Sequence, residues 1–386
     1  MKKEFPMKAT NPFRFRGPAE KEFLVGREKE RKQLLSVLKN SQSALLYAPR
    51  RFGKTWLLQT IMNDSYRKGI LPIYLDFFPL SSEIHFLESY TTSIAEACCK
   101  STTQAQEFST ELLRFLGARV VLINKNQWTL QYNWDKTTDT IKTIARLVFS
   151  LPETIARKRN LKIGVIFDEF QEINKLNGER WEKEMRTIFQ HQRNVGYIFS
   201  GSKTHLLLNM FTDSRRAFYQ SAAMFTLSDI SSTEWEEYIS KRFATTGIVL
   251  SKEVLGQILS LTNGHPYYTQ QLCYFLWEAV KMRKKVTIDD IDHSFDESLT
   301  NEDAYFRQVW EELPLTQRKL LIAIAKEGGK HILSGDFLLG NSLGPVSSVQ
   351  LAAKALTQQK GILDKIKDEY QFTDPFFRIW IRREIL

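Results

Sequence analysis

Four short stretches of the chain are almost unbroken in apolar residues and stop abruptly at polar ones. Ala44-Leu-Leu-Tyr47 runs into Ala48-Pro-Arg-Arg-Phe-Gly53, and Leu71-Pro-Ile-Tyr-Leu75 reaches Asp76. Ile163-Gly-Val-Ile-Phe167 runs into Asp168-Glu169, and Val195-Gly-Tyr-Ile-Phe199 into Ser200-Gly-Ser202. Strands of a parallel sheet covered by helices on both faces need such runs, because neither face meets water. Between them apolar residues recur at helical spacing. Leu34, Leu35 and Leu38 predict a helix over 28–39, and further helices are predicted over 54–67, 138–158 and around Trp181, Met185, Ile188 and Phe189. Residues 83–118 also predict helix, whereas 119–137 fit no period. Residues 1–22, with Pro6, Pro12, Gly17 and Pro18, predict an extended arm on the core.

The second half of the chain is helical in pattern from Leu227 to about Ser298. Gly264-His-Pro266 brackets one helix end and the next helix start. Beyond 314 the pattern predicts helices over 316–326, 334–339 and 346–359. Strands over 361–366 and 369–372 follow, then a closing amphipathic helix. Three helices and a hairpin make a winged helix, whose third helix is the usual reader of a duplex groove. Here that helix offers only Lys354 and Lys360 as cations. The predicted division is an arm and α/β core over 1–225, a helical lid over 226–300 and a winged helix over 301–386.

The polar ends of the strands carry the candidate chemistry. A strand, the loop 48–53 and a helix starting at Lys54 form the layout of a phosphate-binding P-loop. Loop N–H groups and the positive end of the helix face an anion, Lys54 reaches phosphate oxygens, and the Thr55 hydroxyl takes a Mg²⁺ position. The candidate nucleotide contacts are Ala48, Pro49, Arg50, Arg51, Phe52, Gly53, Lys54, Thr55 and Trp56. Ala48 stands where the motif usually has glycine, which an L-residue tolerates if φ stays negative. Asp168 and Glu169 cannot be core at a buried strand end. The first suits a metal contact and the second the activation of water. Ser200 or Ser202 would lie at the same sheet edge, where ligands of open α/β sheets bind. Arg215 or Arg216 could bring a guanidinium to a phosphate, from the same or a neighbouring subunit, or be a plain loop arginine. His265 could approach a nucleotide or simply pack.

Composition narrows this reading. With 42% hydrophobic and 25% charged residues, the 386-residue chain has the make-up of a globular protein of two or three domains. Three cysteines without a Cys-x-x-Cys are too few for a disulfide framework and point to a reducing compartment. No apolar run reaches the roughly 20 residues that span a bilayer, and the start lacks a signal-peptide core. A cytoplasmic protein with no membrane contact is expected. The net charge of +10 is concentrated at the ends: residues 1–60 hold 14 Lys and Arg against 5 Asp and Glu. Part of that excess serves phosphates, and the rest is either a polyanion surface or a solvated face.

Taken together, Phe23-Leu-Val-Gly-Arg-Glu28, the Pro-Arg-Arg-Phe-Gly-Lys-Thr loop, Phe167-Asp-Glu-Phe-Gln171, Ser200-Gly-Ser202, Arg216-Ala-Phe-Tyr219, Gly264-His-Pro-Tyr-Tyr268 and Phe372-Thr-Asp-Pro-Phe-Phe-Arg-Ile-Trp380 resemble the archaeal-type P-loop ATPases of the STAND/AAA+ class, akin to archaeal replication initiators. The resemblance implies an AAA+-like parallel-sheet core with a helical lid and a C-terminal winged helix. It implies ATP and Mg²⁺ at Lys54, Thr55, Asp168 and Glu169, and more loosely Ser202 and Arg216. ATP over GTP follows from the resemblance alone; Asn124-Lys-Asn-Gln lacks the aspartate of a guanine-reading motif. The expected function is Mg²⁺-dependent ATP hydrolysis that moves the lid and winged helix. The alternative is a slow or non-hydrolysing nucleotide-gated module facing a protein partner. Double-stranded DNA, a protein and a homo-oligomer all stand as candidate partners.

Overall fold

The computed structural model describes residues 10–17, 21–98, 118–124, 127–132, 138–202 and 204–386. The first half alternates helix and strand: α1 (Glu28–Lys39), β1 (Ser43–Tyr47), α2 (Lys54–Arg67), β2 (Ile70–Asp76), α3 (Glu83–Cys98), β3 (Ala118–Asn124), β4 (Gln127–Tyr132) and α4 (Thr138–Arg159). Then come β5 (Lys162–Asp168), the 3₁₀ segment Phe170–Leu176, α5 (Gly178–Phe189), β6 (Val195–Gly201), α6 (Thr204–Thr212) and β7 (Ala223–Thr226). Five of the strands form one parallel sheet in the order β2-β5-β6-β1-β7. Hence β1, β6 and β5 are neighbours, and their carboxyl ends deliver residues 48–53, 200–202 and 168–169 to one edge.

Strand periodicity splits the sheet's side chains between two cores. Leu45, Val165, Phe167, Tyr197 and Phe199 pack under Phe86 and Tyr90 of α3, Phe149 of α4 and Trp181 of α5. Ala44, Leu46, Ile166 and Ile198 point the other way, onto Leu34, Leu35 and Leu38 of α1 and Leu57, Leu58 and Ile61 of α2. Each of the larger aliphatic and phenylalanine side chains contributes about 1.5–3 kcal/mol when fully buried, so the sheet edge is a rigid platform.

The remainder is α7 (Ser232–Ala244), α8 (Lys252–Thr262), α9 (Pro266–Val280), α10 (Ile288–Glu311), α11 (Leu315–Glu327), α12 (Gly335–Gly340) and α13 (Val346–Lys354). A π-helical turn Ala355–Gln359, the antiparallel pair β8 (Leu363–Ile366) and β9 (Glu369–Phe372), and α14 (Pro375–Glu384) close the chain. One continuous apolar cluster joins the lid to the winged helix, running from Trp235 and Trp277 to Phe306, Trp310, Phe376 and Trp380. The 24-residue α10 runs through position 300 and carries this core from one to the other.

Several expectations change. The helix expected to reach 118 gives way to a strand at Ala118, which pairs with β4 in an antiparallel hairpin. The insertion between β2 and β5 is therefore not purely helical. Residues 99–117 and 133–137, on which parts of those expectations fall, lie outside the described residues. The described part of the arm lies on the lid rather than the α/β core: Phe13 is buried in the lid cluster, and Asn11 donates to the Tyr274 carbonyl and to Glu278. An unexpected fifth strand, β7, flanks β1.

Candidate functional site

β1 ends at Tyr47 and releases the chain into a loop that closes at Gly53, whose φ of 83° would strain any residue bearing a Cβ. Ala48 is buried and does not adopt a positive φ, as an L-residue there requires. α2 then starts at Lys54. The lysine is only 5% exposed, and its Nζ donates to the carbonyls of Ala48 (2.7 Å) and Pro49 (2.9 Å). Burial pulls its ammonium down to about 8, against the opposing pull of Glu169 and Asp168.

Facing the loop is the end of β5. Asp168 is buried; its Oδ2 accepts from the Thr55 hydroxyl (3.3 Å) and from the Tyr74 hydroxyl of β2 (2.9 Å). Burial first, then the Asp168 charge and hydrogen bond, push the Tyr74 phenol upward and keep it a neutral donor. The chain turns sharply at Glu169, with φ 49°. The Glu169 Oε2 accepts from the Ser202 hydroxyl at 2.9 Å and from the Gln171 amide. Of the two candidate serines, Ser202 meets the acid, whereas the Ser200 hydroxyl is buried with no partner among the described residues.

Lys54, Thr55, Glu169, Ser202, Arg50, Arg51, Phe52, Gly53 and Trp56 line one cleft of about 280 Å³. Its opposite wall is the lid and arm: Pro266, Tyr267, Gln270, Ile230, Trp235, Arg14, Phe15 and the segment Phe23–Val25 with Arg27. Apart from the Phe23–Glu28 motif, which includes Arg27, the pattern of the chain gave no sign that the arm or Tyr74 belonged here. Arg27 reaches the cleft from the segment ahead of α1, and Tyr74 meets Asp168 from the neighbouring strand β2.

Two predicted residues are placed differently from the rest. The Arg51 side chain leaves its loop for a socket built by lid and winged helix. It donates to the Tyr268 hydroxyl (2.7 Å) and to Glu302 Oε2 (2.8 Å), lies 3.8 Å from Asp374, and stacks over Tyr267 and Tyr305. Arg216 lines no part of the cleft. It pairs with buried Glu182 and also donates to Asn174. Arg215, 86% exposed, pairs with Asp213. His265 is buried against Phe52 and Tyr268, so burial and the neighbouring Arg51 charge drive its imidazole down to about 3.

The donor set fits a hard divalent cation: a hydroxyl and a carboxylate converge between Thr55 and Asp168. Among the described residues no group of three or more His, Cys, Asp or Glu forms a cage of protein ligands. Mg²⁺ sites in general use few protein oxygens, completed by phosphate and water.

A parallel sheet with a phosphate-binding loop on β1 and a carboxylate pair two strands away defines a P-loop nucleotide-binding ATPase. The chain belongs to the family described as ATPase domain predominantly from Archaea, which matches residues 24–272, and a probable winged helix domain matches residues 304–383. Among solved structures, the Walker-type ATPase paby2304 of Pyrococcus abyssi aligns over 96% of this chain and 99% of its own, with 17% identity and a TM-score of 0.71. The Aeropyrum pernix ORC2 protein, in ADPNP-ADP complexes, aligns over 93% of this chain and 94% of its own, with 13% identity and a TM-score of 0.56. At these identities the likeness establishes the fold. No curated protein matches the chain. Among the described residues, no helix is long and apolar enough to cross a membrane.

Proposed function

We propose that the protein binds ATP with Mg²⁺ in the P-loop cleft, hydrolyses it, and passes the nucleotide state to the lid and winged helix. The observation that carries this reading is the Glu169 carboxylate, anchored by the Ser202 hydroxyl at 2.9 Å on the wall facing Lys54 and Thr55. In hydrolysis a water oxygen bonds to the γ-phosphorus, the bridging oxygen leaves with ADP, and the water's proton passes to Glu169. Lys54 would hold phosphate oxygens, while Thr55 and Asp168 would hold Mg²⁺, with Tyr74 fixing the Asp168 oxygen. When bound, Mg²⁺ neutralises charge on the phosphates. The lining supports coupling, since core and lid residues both contribute to the cleft. Arg216 pairs with Glu182, while Arg14, Arg27, Arg50 and Arg51 line the cleft itself, so a transition-state arginine could come from this chain or from a neighbouring subunit. Phosphate release measured with and without EDTA tests the reading: chelation should abolish turnover, and turnover surviving chelation would refute the Mg²⁺ role.

One observation favours the second reading, a nucleotide-gated module presenting a protein-binding face. α13 exposes Leu351 (69%) and Val346 (47%), with Lys354 as its single cation. Lys360, the other candidate DNA contact, lines a cavity of about 610 Å³ that also contacts the P-loop residues Pro49 and Arg50. A duplex bound through phosphate contacts would lose affinity steeply between roughly 50 and 200 mM salt. No duplex binding at about 50 mM salt, in ATP and in ADP alike, would leave the protein-facing reading.

A further inference from the structure

We infer that Gln171 is a positioning residue for hydrolysis, fixing which oxygen of Glu169 meets the attacking water; this rests on Glu169 being the base. Gln171 follows the acid by two positions in the 3₁₀ segment Phe170–Leu176 and is 2% exposed. Its Nε2 donates to Glu169 Oε2, the same oxygen that accepts from the Ser202 hydroxyl. Among the described residues, Glu169 Oε1 takes no hydrogen bond. The carboxylate is therefore divided into a tethered oxygen and an oxygen left for the water's proton. A carboxylate can only accept, so the amide orientation is dictated: the nitrogen faces Glu169, and Gln171 Oε1 is left buried with no partner among the described residues.

A buried amide with one unpaired oxygen is costly, and two features show that this arrangement is built for. The first is Gly201, the last residue of β6, where a Cβ would collide with Gln171 Oε1 and crowd Cδ at 3.0 Å. No side chain fits there while Gln171 holds its place. The second is the backbone at Glu169, whose φ of 49° is unfavourable for a non-glycine residue and persists only where surrounding contacts impose it. Glu169 N–H donates to Asp168 Oδ1 (3.0 Å), and the Gln171 amide secures the far end of the same side chain. Backbone and carboxylate are pinned at both ends.

The test compares Gln171→Leu and the isosteric Gln171→Glu with Glu169→Gln and the double variant Glu169→Gln/Gln171→Leu, all in the full chain. Steady-state kcat and KM, ATP affinity by calorimetry and thermal unfolding are read for each. Misplacing a catalytic group costs on the order of 100-fold in rate. Both Gln171 variants should lose kcat by about that factor, with KM and ATP affinity within about twofold. The double variant should be no slower than Glu169→Gln alone, because Gln171 acts only through that carboxylate. Gln171→Glu keeps the packing, so its loss separates positioning from folding. Wild-type kcat in Gln171→Glu, with Glu169→Gln inactive, would overturn the inference while leaving the base in place. Wild-type turnover in Glu169→Gln would overturn both together.

Discussion

His265 shows what burial does to a single residue at this site. Its ring is enclosed between Phe52 of the P-loop and Tyr268 of the lid, and its Nδ1 has no partner. The folded value, about 3, lies below the ordinary 6.5, so the unfolded chain binds more protons between those values. Stability from this residue is complete above about pH 6.5 and is lost as pH falls toward 3, with a slope of at most about 1.4 kcal/mol per pH unit. Urea unfolding at pH 7 and pH 5 should show a smaller acid loss in His265→Gln than in wild type; equal losses would contradict the assignment. The residues gathered at and around the cleft divide by how they could be read. Lys54, Thr55, Asp168 and Glu169 were legible because each follows an apolar run at a spacing that phosphate chemistry dictates. Tyr74 was not, because its contact with Asp168 comes from the neighbouring strand; Gln171 and Arg27 stand within legible motifs, but nothing local says what their side chains touch. Arg51 was legible as a loop residue but not by destination, since nothing local says that its side chain turns toward Glu302.

Among the elements, α10 links the lid to the winged helix. Its start is a full capping box: Thr287 Oγ1 accepts from Asp290 N, and Asp290 accepts from Thr287 N–H. Thr287→Ala should cost about 1 kcal/mol, read as a lower urea midpoint; an unchanged midpoint would show that the helix is held by packing alone. The strands of the sheet were readable because burial on both faces leaves no polar alternation to mislead. β7 was missed because its four residues are short and mostly exposed. The hairpin β3 and β4 was missed because its sequence favours neither period. The third winged-helix helix is helical to Gln359 as expected, with its last turn, Ala355–Gln359, π-helical rather than α-helical.

For the whole molecule, the decisive contact is a P-loop arginine anchored in the other half of the chain. Glu302 of α10, with its side chain 1% exposed, accepts from Arg51 (2.8 Å), Arg16 (3.0 Å), Tyr267 (2.9 Å) and Gln271 (3.0 Å). Against the effect of burial, Arg51 and these donors hold its carboxyl below the usual range. Arm, P-loop, lid and winged helix thus meet at one carboxylate. Removing one partner of a buried pair costs about 3–5 kcal/mol when the other charge is stranded. Glu302→Ala takes the nearest carboxylate from Arg51, which keeps the Tyr268 hydroxyl and Asp374, and should cost at most about the lower end of that range. Arg51→Ala leaves Glu302 with three donors and should cost less. Equal losses in urea unfolding would mean that the pair acts only locally.

The central claim, that this cleft binds ATP through Lys54 and hydrolyses it through Glu169, is tested most directly by one paired measurement on Lys54→Ala and Glu169→Gln. ATP affinity by calorimetry and single-turnover phosphate release are read on the same preparations. The account predicts that Lys54→Ala loses binding, because the lysine acts on ground-state phosphates. Glu169→Gln should bind ATP as wild type does and release phosphate at least about 100-fold more slowly. Wild-type phosphate release from Glu169→Gln, or undiminished binding by Lys54→Ala, would contradict it.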